Sequence, residues 1–122
     1  MALVLECHAA HAQSVTPMRG AVTSFADEFA LRITVGNPYP RATYFDVRVY
    51  DENFQPIEAI VSPPNLKMPP DETTLVSVRV PFNGGSTRKV RVCAEGMFAN
   101  ANQSGVRTQV CGRYLATHIG PQ

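Results

Sequence analysis

A chain of 122 residues with eleven basic and ten acidic side chains has room for one hydrophobic core. It lacks the basic surplus that wholesale nucleic-acid binding requires. Its apolar share of 44% excludes a disordered chain, and its ten prolines fit a turn-rich β protein better than a helical one.

At the N-terminus, Ala10, His11 and Ala12 have the small-x-small form of a signal-peptidase site, with Gln13 as the first mature residue. Upstream, Glu6 interrupts a short apolar run and no Lys or Arg precedes it. Residues 1–12 therefore read as an export signal truncated at its start, or as a disordered leader. Cys7 is a poor lipoprotein site, because Glu6 stands where a small residue is needed. No apolar run approaches the roughly 18 residues that span a bilayer as a helix.

From residue 14 onward the dominant pattern has period two. A short strand is expected at 14–18. Phe29, Leu31, Ile33 and Val35 then alternate with Glu28, Ala30, Arg32 and Thr34. Phe45, Val47 and Val49 alternate with Tyr44, Asp46, Arg48 and Tyr50. Short strands are expected at 56–61 and 65–68. Val76, Val78, Val80 and Phe82 form the next apolar face, and Val90, Val92 and Ala94 the one after. A last strand is expected within 106–116. Turn signals separate these runs at 36–40, 51–53, 69–72, 83–86 and 100–105, with Asn83 to Ser86 reading as a hairpin turn. The spacing predicts an all-β, immunoglobulin-like β-sandwich of roughly seven or eight antiparallel strands over residues 13–122.

Cys93 and Cys111 fall on the polar faces of the last two strands, and a hairpin centred on 100–103 sets them opposite each other. A cross-strand disulfide there closes a loop of about 17 residues and contributes ~3 kcal/mol in the chain-entropy model. With Cys7 removed, the mature chain keeps an even pair, as in an exported protein; the alternative is two buried thiols.

Catalytic groups are missing. There is no Gly-x-Ser-x-Gly elbow and no phosphate-cradling loop. Two of the three histidines, His8 and His11, lie in the leader, which leaves His118. Asp51 with Glu52 and Asp71 with Glu72 are turn residues. No catalytic residue, metal site or cofactor is expected, and the chain reads as a non-enzyme.

Two features suggest binding. Lys89, Arg91, Arg107 and Arg113 gather on the outer face of the last hairpin, with Tyr44, Arg48 and Tyr50 on the adjoining strand. Arginine forks beside tyrosines suit a carboxylate or another anion, although a charged outer face is also the default of any sheet. The second feature is a proline-free strand at 106–115, an edge able to accept or donate a strand.

Residues 58–80, EAIVSPPNLKMPPDETTLVSVRV, resemble the N-terminal domain of periplasmic pilus-assembly chaperones. That family carries an apolar strand, a Ser/Thr-Pro-Pro step, a short strand with a Pro-containing turn, and a long alternating strand. Residues 14–19, SVTPMR, resemble its first strand, and 29–37, ending in Asn37, its second. The resemblance covers about 14–95. It implies a periplasmic or secreted protein-binding domain, chaperone-like or an adaptor in the assembly of a surface structure. Its partner would be a secreted or pilus-like subunit whose terminal carboxylate is held by two basic residues. Arg19 matches the first of these; Arg107 or Arg113 stands for the second. The family seats its subunit between this domain and a second sandwich, a cleft not expected within one copy of this chain. The alternative reading is a structural subunit of the envelope or of a surface polymer.

Overall fold

Alternating side chains become nine strands and no helix in a computed structural model that describes residues 14–98 and 107–120, apart from the side chains of Met97, Phe98 and Arg107. In chain order these are β1 (Ser14–Thr16), β2 (Arg19–Ser24), β3 (Glu28–Gly36), β4 (Thr43–Tyr50), β5 (Ile60–Ser62), β6 (Asn65–Met68), β7 (Thr73–Pro81), β8 (Thr87–Phe98) and β9 (Arg107–His118). One sheet has the order β1-β3-β7-β5 and the other β2-β9-β8-β4-β6. Residues 1–12 and Cys7, read above as a leader, lie outside the described residues.

The apolar face of each long strand points into the space between the sheets. Phe29, Leu31, Ile33 and Val35 of β3 and Val76, Val78 and Val80 of β7 meet Phe45, Val47 and Val49 of β4 and Val90, Val92 and Ala94 of β8, all buried. Burial of each such Val, Leu, Ile or Phe contributes about 1.5–3 kcal/mol, which makes this layer the main source of stability.

Two expectations need correction. Among the described residues there are nine strands rather than seven or eight, and they are not all antiparallel, because β2 runs parallel to β9. The first strand expected at 14–18 is the first half of a strand that changes sheets. β1 pairs with β3, the Thr16–Pro17 peptide is cis, and β2 continues along the edge of the facing sheet. β2 escaped the sequence pattern because its residues, RGAVTS, carry almost no apolar alternation. The second correction concerns Asn83 to Ser86. Asn83 and Gly84 have left-handed backbones, as in an Asn-Gly turn. The strands they join, however, lie in opposite sheets, so the turn carries the chain across the sandwich. Among the described strands, consecutive ones change sheets at every step but the last, where β8 and β9 form a hairpin.

Asn37 closes the end of β3. It is only 1% exposed, yet its side chain is fully used. Nδ2 donates to the carbonyls of Arg41, Met68 and Pro69 at 3.0–3.1 Å, and Oδ1 accepts from the Tyr39 N–H at 3.1 Å. It ties the β3–β4 connection to the end of β6.

Candidate functional site

Three arginines form one row across the five-stranded sheet. Arg113 of β9 is the register partner of Arg19 on β2 and of Arg91 on β8. Neighbouring strands lie about 4.8 Å apart, so the three side chains leave the sheet side by side on one face. The Arg113 N–H donates to the Met18 carbonyl at 2.8 Å. It is therefore turned away from β8, and Arg91–Arg113 is a non-hydrogen-bonded pair, the kind whose side chains approach most closely. Like charges placed so are repulsive unless an anion joins them. Beside the row is an open cavity of about 390 Å³, lined by Arg19, Arg91, Arg113, Lys89, Glu52 and Leu115 among others.

Tyr114 holds β2 in register with β9. It points to the inner face, where its hydroxyl donates to the Pro17 carbonyl at 2.5 Å. Burial pushes this hydroxyl up to about 12. The ring needs two glycines. A Cβ on Gly112 would stand 2.2 Å from the Tyr114 hydroxyl, and one on Gly20 would stand 3.1 Å from the ring. Tyr114 thus fixes the bend before β2 and, through it, the place of Arg19 beside Arg113.

The turn after β4 folds over the other end of the row. The Asp51 carboxylate accepts from the N–H groups of Asn53 and Gln55 at 2.8 and 2.9 Å. Phe54, with φ 58°, presents its ring to the Arg91 guanidinium, whose carbon lies 4.3 Å from the ring centre. Arg91 also donates to the Glu52 main-chain carbonyl at 3.3 Å, and the Glu52 carboxylate lies 4.0 Å from Lys89 Nζ.

Next along the sheet, Cys93 and Cys111 are register partners joined by a disulfide, with Cα atoms 4.0 Å apart. Cys93 lies on the outer face, as its alternation predicts, but is 0% exposed: the bridge lies low between rows of longer side chains. Beyond it, the Tyr50 hydroxyl donates to Glu95, which also accepts from Gln109 at 3.2 Å and pairs with Arg48 at 3.8 Å. Burial, then the hydrogen bond and charge of Glu95, raise the Tyr50 pKa.

Of the residues singled out in the sequence, Arg19, Arg91 and Arg113 come together. Arg48 is engaged by Glu95. Tyr44 lies six residues before Tyr50, about 20 Å along β4, under the ammonium of Lys67. The Arg107 side chain lies outside the described residues; its backbone pairs with Met97, equally far from Arg113. Glu52 and Phe54 were not foreseen as neighbours of the arginines, since a turn sequence does not say which way the turn leans. The expected edge at 106–115 also needs correction. β2 covers β9 from Arg113 to His118, and only the part before it has no strand partner on that side among the described residues. No group of three or more His, Cys, Asp or Glu among the described residues is placed to hold a metal ion.

No family model matches the sequence, and no curated protein matches it either. Solved structures do. The periplasmic chaperone SfaE superposes with a TM-score of 0.70 at 12% identity, over 89% of this chain and 59% of that one. The complex of Salmonella enterica SafA pilin with the SafB chaperone matches with a TM-score of 0.70 at 12% identity, over 88% and 54%. SSP-19, an MSP-domain-like protein of Caenorhabditis elegans, matches at 0.62 and 14%, over 85% and 98%. The chain spans little more than half the length of the chaperones it matches. At these identities the likeness is one of fold: this is the immunoglobulin-like sandwich found in periplasmic chaperones.

Proposed function

We propose that this chain is a non-catalytic, periplasmic or secreted protein-binding domain, chaperone-like in the assembly of a surface structure. Its partner is a secreted or pilus-like subunit, whose terminal carboxylate it holds between Arg19 and Arg113. The observation that carries this reading is the pairing of Arg19 with Arg113 beside an open cavity, with no carboxylate bound to either among the described residues. Two guanidinium forks on adjacent strands match the oxygens of a carboxylate. The part of β9 that has no strand partner on that side among the described residues lies upstream on the same strand, where an extended partner segment can add as a strand. The chaperone complexes with pilin or tip adhesin among the similar structures support a partner of this kind.

The test is charge reversal. Arg113→Glu and Arg19→Glu should each abolish co-purification of a partner from a periplasmic extract, while circular dichroism shows the sandwich intact. Undiminished capture by both variants would refute the reading. The same open edge also fits a self-assembling structural subunit. Size-exclusion chromatography of the full chain separates the two, since that alternative requires concentration-dependent oligomers of the chain alone.

A further inference from the structure

Three arginines line the cavity, one more than a single carboxylate needs. Lys89 is met by the Glu52 carboxylate. Arg91 is treated differently: its partners are the Glu52 main-chain carbonyl and the face of the Phe54 ring, and both are neutral. They fix the guanidinium without cancelling its charge. The placement is deliberate in backbone terms, because Phe54 stands at φ 58°, a left-handed conformation that a bulky side chain rarely adopts. The turn that imposes it is held by the Asp51 carboxylate. Such conformations concentrate at functional sites, where the surroundings over-determine them. Arg91 is also the close, non-hydrogen-bonded neighbour of Arg113.

Resting on the carboxylate-binding reading above, we infer that the polypeptide end held here is itself acidic. A C-terminal Asp or Glu offers two carboxylates, one for the Arg19–Arg113 pair and one for Arg91. A neutral end would offer Arg91, which neutral groups hold, no second carboxylate. The open cavity of about 390 Å³ has room for a whole terminal residue as well as its carboxylate. A second charge-assisted contact at a water-exposed site strengthens binding by up to about fivefold.

The experiment is a nuclear magnetic resonance titration of the full chain, labelled with nitrogen-15, with three blocked dipeptides: N-acetyl-Ser-Asp, N-acetyl-Ser-Asn and N-acetyl-Ser-Asn amide. A fourth arm uses inorganic phosphate. The dipeptide ending in Asp should bind about two- to fivefold more tightly than that ending in Asn and shift the Arg91 side-chain signal. Arg91→Gln should bring that ratio close to one. Should this variant fail to fold, the comparison on the natural chain still decides. Equal affinity of the Asp and Asn dipeptides, with the amide weaker than both, overturns this inference and leaves the carboxylate reading standing. Equal affinity of the Asn dipeptide and its amide overturns both. Phosphate binding as tightly as the Asp dipeptide makes the row a general anion site and overturns the assignment to a polypeptide end.

Discussion

Tyr114 lays its ring over Gly112 and Gly20 and puts its hydroxyl on the Pro17 carbonyl. Tyr114→Phe keeps the ring and loses the bond, and should cost about 1 kcal/mol in urea denaturation. The pH dependence has a definite sign. The folded pKa, about 12, lies above the ordinary value of 10, so the fold favours the protonated phenol. This contribution is complete below pH 10 and is lost as pH rises through about 12. Natural protein should therefore lose more stability between pH 9 and 11.5 than Tyr114→Phe, as denaturant midpoints would show; parallel curves would contradict this. At this scale the sequence was half legible. Phe29, Phe45 and Val76 declared themselves core by alternation, whereas Asn37 read only as a turn residue. Its burial and its four side-chain bonds depend on carbonyls of Met68 and Pro69, brought there by the fold.

The β8–β9 hairpin shows how far element-level reasoning reaches. Its register follows from the midpoint of a polar loop, so Cys93 faces Cys111 as the sequence implied. The double variant Cys93→Ala/Cys111→Ala should lose ~3 kcal/mol of stability, read as a lower denaturant midpoint that reductant does not change further. The bridge lies one step along the ladder from Arg91 and Arg113, so it pins the register on which the row depends. β2 marks the limit. It is short and polar, and pairs with β9 only because the chain changes sheets at Pro17. Without a stripe of apolar residues, no local signal distinguishes such an edge strand from a loop.

Across the whole molecule the net charge is only +1, yet the outer face of one sheet gathers Arg19, Arg91, Arg113 and Lys89 around a single cavity. Attraction at so open a site is screened by salt. Raising ionic strength from 0.01 to 0.15 M shortens the screening length from about 30 to about 8 Å, so carboxylate affinity should fall several-fold in the same titration. Affinity indifferent to salt would mean that the arginines are not what binds. By itself the sequence determined the all-β class, the inward faces of β3, β4, β7 and β8 and the cysteine register, because each follows from alternation along one segment or from one loop's midpoint. Only the tertiary structure decided that Arg19 from the first edge meets Arg113 and Arg91 from the last hairpin, under a turn leaning from a third strand. Arg19 is far in sequence from that hairpin, and a sheet-changing bend sets their meeting, which no period in the chain encodes.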